Sequence, residues 1–233
     1  MSGWLDLSVP VVTGMPVYPG DPEVTVTPAL GAAADGVNVL ALHLGSQSGT
    51  HVDAPYHVDD AWPRLDELPL DRFAGPAVVA DVRGLPPRSP IKPTLLAPAL
   101  DALAAAPGAL LLLVTGWSAH WGTDAYLDHP WLTPDAAAAV VEAGVRTVAV
   151  DALSVDPTPR PGDPQAEFTL PAHRVLCGAG AVIAENLTGL DRLLDAEAVE
   201  VFLFPLRLPG ADGAPVRAVA RAARRPGRPP GGL

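Results

Sequence analysis

A chain of 233 residues fits one large domain or two small ones and is long enough to bury a real core. Hydrophobic residues make up 48% and charged ones 18%, which excludes a disordered chain and points to a packed globular one. The net charge of -11 excludes broad nucleic-acid binding, which needs a basic footprint.

The charge is uneven. From Arg207 onward there are six Arg and one Asp, and "AARRPGRPPGGL" at 222–233 reads as a disordered basic Pro/Gly-rich tail behind a single domain over 1–221. No apolar run nears the roughly 20 residues of a membrane span, and "MSGWLDLSVP" lacks the basic and apolar regions of a signal peptide. The single cysteine, Cys177, excludes an internal disulfide. Cytoplasm is the expected compartment.

In chain order, "WLDLS" (4–8), "EVTVTP" (23–28) and "VNVLALHLGS" (37–46) read as strands. The second alternates Val24 and Val26 against Thr25 and Thr27, as a half-buried strand should. Between the first two, "GMPVYPGDP" (14–22) carries too much Pro and Gly for regular structure. "PAVVADV" (76–82) and "ALLLLVTGW" (109–117) are short apolar runs typical of strands buried on both faces, with a proline-interrupted helix over about 94–106 between them. "TPDAAAAVVEAG" is the clearest helix: Thr133 at N-cap, Pro134 at N1, Gly144 just past the end. It feeds the buried strand "RTVAVD" (146–151). "PAHRVLCGAG" is a short helix before the strand "AVIAEN", and "VEVFLFPL" with "APVRAVA" forms two closing strands around "PGADGAP". The class is α/β in layers, with an alternation too irregular for a Rossmann or TIM pattern.

The chemistry concentrates in "GSQSGTHVDAPYHV" (45–58). On an extended segment His51 and Asp53 point to one face, and a turn at Pro55 swings His57 back over them. Imidazole and carboxylate are N/O donors suited to Zn²⁺, Mn²⁺ or Fe²⁺. The alternative is a hydrogen-bonded surface pair. Gln47 lies four residues before His51, on the same strand face, and its carbonyl is a weak oxygen donor. Further along, His173 sits on the short helix after Pro171 and Glu185 ends an apolar strand, where a carboxylate is costly unless it enters a polar pocket. The plainer readings are a helix-surface histidine and a strand-end glutamate facing water. His43, His120 and His129 read first as structural or surface residues, with His43 the reserve ligand. Trp4, Tyr18, Trp62, Trp117, Trp121 and Phe168 are candidates for an apolar substrate wall.

The segment "QSGTHVDAPYH" resembles the H-x-G-T-H-x-D-x-P-x-H signature of the metal-dependent cyclase family, which includes bacterial kynurenine formamidases and isatin hydrolases. "DLSVPVVTGMPVYPGDP", "TGWSAHWGTDAY", "VAVDALSVDP", "AHRVLCGAGAVIAENL" and "FPLRLPGADGAPVRAVA" extend the resemblance along nearly the whole chain. It implies a swivelling β/β/α fold assembled as a homodimer or larger. It also implies a divalent metal, Zn or Mn, as one or two ions. His51 and Asp53 would ligate metal, with Asp53 bridging if two ions bind, and His173 and Glu185 would complete a second position. His57 would be the acid/base residue, and Tyr18, Pro19 and Asp21 would lie in the loop over the substrate. The implied activity is hydrolysis of an amide-type C–N bond in a small molecule, such as an aryl formamide or a cyclic amide. The alternatives are a ring-closing enzyme of a polyketide-type pathway and a non-catalytic binding relative. Gln47 departs from the signature, replacing a ligating histidine. That replacement leaves one metal, a weaker pair, or a harder ion such as Mn²⁺.

Overall fold

The computed structural model describes residues 3–159 and 169–224. Phe168 and the part of the expected tail from 225 onward lie outside the described residues. The first three residues of that expected tail, 222–224, belong instead to the last strand.

Among the described residues, the chain forms β1 (Trp4–Asp6), β2 (Thr25–Leu30), α1 (Ala32–Asp35), β3 (Val39–His43), β4 (His51–Asp53), β5 (Ala74–Asp81), β6 (Pro90–Ile91), α2 (Pro93–Ala104), β7 (Leu110–Val114), β8 (Trp131–Leu132), α3 (Pro134–Glu142), β9 (Thr147–Val150), α4 (Pro171–Gly178), β10 (Val182–Glu185), β11 (Ala196–Phe202), β12 (Gly213–Pro215) and β13 (Val219–Arg224). Nine strands share one sheet in the order β1-β13-β11-β5-β7-β9-β10-β4-β12, while β2-β3 and β6-β8 pair separately.

The order and the connections together fix the shape. β12 and β13 are joined by only three residues, 216–218, yet stand seven places apart in the sheet order. With strands about 4.8 Å apart, a flat sheet would separate them by roughly 30 Å, which so short a link cannot span. The sheet therefore curls back on itself. Its seam is stitched by the bridge between Ser8 and Leu187 and by the Thr188 N–H donating to the Leu7 carbonyl.

At the centre, β5, β7, β9 and β10 run parallel, linked in turn by α2, α3 and α4. The alternation is thus regular over this stretch, and antiparallel strands on both flanks hide it in the whole sequence. Alternate residues serve two cores. Leu111, Leu113, Val148, Val150 and Ile183 pack on the helices with Leu96, Val140 and Leu176. Leu110, Leu112, Ala149, Val182 and Ala184 face the inside of the curl, against Val52, Val199 and Val201. This two-sided burial explains why β7 and β9 lack a polar face, and it produces a β/β/α layering. β5 is less buried than its apolar run implies, with Pro76 and Asp81 exposed.

Local chemistry sets the helix ends. The Ala136 N–H donates to Thr133 Oγ1 at 3.2 Å, Pro134 opens α3, and Gly144 takes the left-handed conformation past its end. α2 runs through Pro98 for twelve residues rather than breaking there. The closing strands differ from expectation. "APVRAVA" is split, with β13 pairing with β11 and β12 crossing to the far side of β4.

Candidate metal centre

Strand pairing builds the site. On β4, Val52 faces the inside of the curl, so His51 and Asp53 face the helix layer. Across the antiparallel β4–β10 pair, Glu185 stands directly opposite His51. It is the last residue of a parallel strand, the end at which open α/β sheets bind ligands. α4 packs over this end and carries His173, which is buried like the other three residues.

Both histidines are oriented through their Nδ1 atoms. His51 Nδ1–H donates to the Gly49 carbonyl at 2.8 Å, because a carbonyl can only accept. His173 Nδ1–H donates to Asp156 Oδ2 at 2.7 Å. Each Nε2 is thereby turned toward the carboxylates, the arrangement metal-binding histidines use. His51 Nε2 lies 3.4 Å from Asp53 Oδ1 and 3.7 Å from Glu185 Oε2. His173 Nε2 lies 3.6 Å from Asp53 Oδ2 and 3.4 Å from Glu185 Oε1. Atoms about 2.1 Å from a tetrahedral ion stand roughly 3.4 Å from one another, so the spacing suits ligands around a cation. Donor atoms of His51, Asp53 and Glu185 lie within 4.8 Å of one another.

The charges lead to the same reading. Both Asp53 oxygens are buried without a hydrogen-bond partner, a costly state for a carboxylate unless positive charge stands nearby. Burial pulls the His51 pKa down, but the Asp53 and Glu185 charges outweigh it and raise it to about 9. His173 is raised despite its burial, by Asp156 and Asp53. Asp53 is lowered by the two imidazoles against its burial, whereas burial wins at Glu185 and raises it. A field that keeps protons on buried imidazoles also favours a metal cation in their place. The residues present fit a divalent ion.

The supports come from distant segments. Glu185 Oε1 accepts from the Val155 N–H at 2.8 Å. Asp156 accepts from the Ala172 and His173 N–H groups at 2.8 and 2.9 Å, capping α4 and aiming His173. Asn186, at φ 57, donates to the Gly49 carbonyl at 2.9 Å and accepts from the Tyr126 hydroxyl at 2.8 Å. Gly49 is required at φ 68, and a Cβ there would sit 3.1 Å from Met15 Cε.

Pro55–His57 forms a 3₁₀ turn that brings the His57 ring to 5.8 Å from that of His173. Tyr18, Asp21, Gln47, His51, His57, His173 and Glu185 all line one cleft, and Asp53 is buried beside His51. Burial raises the pKa of Tyr18 and also that of Asp21, where His51 and His57 oppose it. Gln47 is not on the strand of His51. A turn in which the Ser48 N–H donates to the Gly45 carbonyl breaks the extended run. The Gln47 amide lies 2.8 Å from Asp212 and 3.1 Å from His57, and its Oε1 is buried with no partner. The same turn leaves His43 exposed on the β2–β3 hairpin, away from the cleft. Trp4, Trp62, Trp117 and Trp121 do not line the cleft either. His129 is buried and held between Thr158 and the Pro130 carbonyl, and His120 packs against Trp117.

Sequence reasoning missed Asp156, Asn186 and Asp212. The available signals were an acidic residue placed to cap the helix of His173, an Asn directly after Glu185, and an Asp-Gly pair in the last turn.

The family model with the description "Putative cyclase" matches residues 5–157. The chain belongs to the cyclase family. The kynurenine formamidase of Salinibacter ruber is 37% identical over 226 residues, spanning 95% of this chain and 99% of its own. Isatin hydrolase A from Ralstonia solanacearum superposes with a TM-score of 0.82 at 22% identity, covering 94% of this chain and 92% of its own. A potential metal-dependent hydrolase with cyclase activity superposes at 0.74 with 25% identity, covering 97% and 100%. The layered fold is that of this cyclase family.

Proposed function

We propose that this cyclase-family protein is a metal-dependent hydrolase of an amide-type C–N bond, with an aryl formamide such as N-formylkynurenine or a cyclic amide as substrate. The observation that carries the reading is the pair of buried imidazoles presenting Nε2 to two shared carboxylates on one wall of the cleft, with a third histidine close by. The kynurenine formamidase relative, 37% identical along nearly the whole chain, supports the bond type.

His51, Asp53, His173 and Glu185 would hold Zn²⁺ or Mn²⁺, as their two-nitrogen, two-carboxylate chemistry suits either. Each carboxylate turns one oxygen toward each histidine, which supports one or two ions sharing Asp53 and Glu185. Gln47 Oε1 is an additional oxygen donor. When bound, the metal supplies Lewis acidity, polarising a carbonyl and lowering the pKa of water from about 15.7 toward 7. His57 takes a proton during attack and returns it to the departing nitrogen, a role worth roughly 10²–10⁴ in rate. Tyr18 and Asp21, which line the same cleft, bind and orient the substrate.

A homodimer or tetramer is part of the same reading. Leu30, Val39, Leu40 and Leu42 are 41–60% exposed on the β2–β3 hairpin, an apolar surface suited to a second copy. The reading places the enzyme in the cytoplasm, which its one cysteine suits, and no helix among the described residues is long and apolar enough to cross a membrane.

The test is metal analysis of the purified protein by mass spectrometry, coupled to turnover of N-formylkynurenine and a panel of formamides and cyclic imides. The expected result is hydrolysis that a chelator abolishes and added Zn²⁺ or Mn²⁺ restores. Turnover untouched by exhaustive metal removal would sink the proposal, as would no turnover of any member by the loaded protein.

A further inference from the structure

Asp212 lies 155 residues after His57 in the chain and beside it in space. Its Oδ2 is 3.1 Å from His57 Nδ1 and 2.8 Å from Gln47 Nε2. We propose that Asp212 is the positioning residue of His57, fixing its ring and its tautomer, and that the Gln47 amide clamps Asp212 in place for that purpose. The proposal rests on the acid/base role given to His57 above.

The tautomer follows from competition at one nitrogen. A carboxylate beside His57 Nδ1 requires an N–H there, which leaves the Nε2 lone pair to accept a proton from an attacking nucleophile. Gln47 Nε2, 3.1 Å from the same Nδ1, could donate only to the opposite tautomer. Charge-assisted hydrogen bonds are about twice as strong as neutral ones. The Asp212 carboxylate therefore takes the Nδ1 proton, and one of the two Gln47 amide hydrogens goes to Asp212 Oδ2. Logic of this kind, in which a base is oriented by a third group, generalises the hydrolase triad.

The backbone holds Asp212 rigidly. Its carbonyl accepts from the Ala54 N–H at 2.8 Å, and the neighbouring Ala211 carbonyl accepts from the Leu65 N–H at 3.0 Å. Gly213, paired with Asp53 across β12–β4, explains how Gln47 gets in. A Cβ at Gly213 would overlap the Val52 carbonyl and stand 2.7 Å from Gln47 Nε2. The Asp-Gly pair that reads as a turn is thus needed twice, once for its carboxylate and once for the missing side chain.

Asp212→Asn keeps the shape and removes the charge. Hydrolysis of an aryl formamide by this variant should lose about 10²-fold or more in kcat with KM within roughly threefold. Asp212→Glu should recover at least about tenfold of that loss, since the carboxylate is what matters. A second readout needs no turnover and no variant: ¹⁵N-histidine NMR of the zinc-reconstituted protein should show neutral His57 with its proton on Nδ1. A proton on Nε2 in the wild-type protein overturns the proposal, and so does Asp212→Asn with wild-type kcat while His57→Ala is inactive. Full turnover by His57→Ala would instead overturn the acid/base reading beneath it.

Discussion

The cleft and the β2–β3 hairpin invert the usual division of residues in opposite ways. In the cleft, His51, Asp53, His173 and Glu185 are charged or polar and buried. On the hairpin, Leu30, Val39, Leu40 and Leu42 are apolar and exposed. Burying unpaired carboxylates and leaving leucines in water are both unfavourable, so each region is incomplete as a lone surface. The difference lies in what completes them. Converging donor atoms about 3.4–3.7 Å apart suit a small cation, whereas the occupant proposed for the charge-poor two-stranded ribbon is a second copy of the chain.

The largest effect should come from emptying the polar side of that comparison. Glu185→Gln removes a charge from both half-sites and should cut hydrolysis by about 10³-fold or more, with bound metal falling in parallel by elemental analysis. Acid should act next, through His129. Burial holds this histidine at about 4 against 6.5 in the unfolded chain. Between those values the unfolded state binds the proton that the folded state refuses. The contribution of His129 to stability is therefore complete above pH 6.5 and declines as pH falls toward 4, by up to about 3 kcal/mol. Urea melts at pH 7 and pH 4.5 should show the decline, and His129→Gln should flatten it.

Asn186 offers a finer test of how the cleft is braced. Asn186→Ala removes two buried hydrogen bonds and strains the left-handed φ, for an expected loss of about 2–4 kcal/mol. Asn186→Gly relieves the strain and keeps the rest of the loss, so it should melt between the two. The hairpin should give the smallest change in fold stability. Leu40→Glu with Leu42→Lys should alter the unfolding free energy of the monomer by only about 0.5 kcal/mol while dissociating the proposed oligomer. Light scattering behind a sizing column reads the mass. An unchanged assembly would remove the hairpin from the interface.

How much of this was legible depended on sequence distance. The period of two placed His51 and Asp53 on one face without help. Glu185 stood out as a carboxylate ending an apolar strand, and the proline after Asp53 foretold the return of His57. Local pattern failed where the chain turned or closed. His43 has the parity of His51 only if the strand runs unbroken, and the turn at Gly45–Ser48 breaks it. Asp212 belongs to the site because the sheet curls and β12 docks beside β4. Nothing within a dozen residues of Asp212 records that pairing. The parallel centre was present in the strand and helix readings, but the antiparallel flanks obscured its regularity. Gln47 was visible as a departure from the family signature, and only the placement of Asp212 shows what its amide holds.

The central claim, that the buried His/Asp/Glu cluster is a metal centre, is tested most directly by anomalous diffraction from crystals grown with Zn²⁺ or Mn²⁺. The account predicts a peak about 2.0–2.3 Å from His51 Nε2 and from carboxylate oxygens of Asp53 and Glu185. Crystals saturated with either ion that show no anomalous peak among these residues would contradict it.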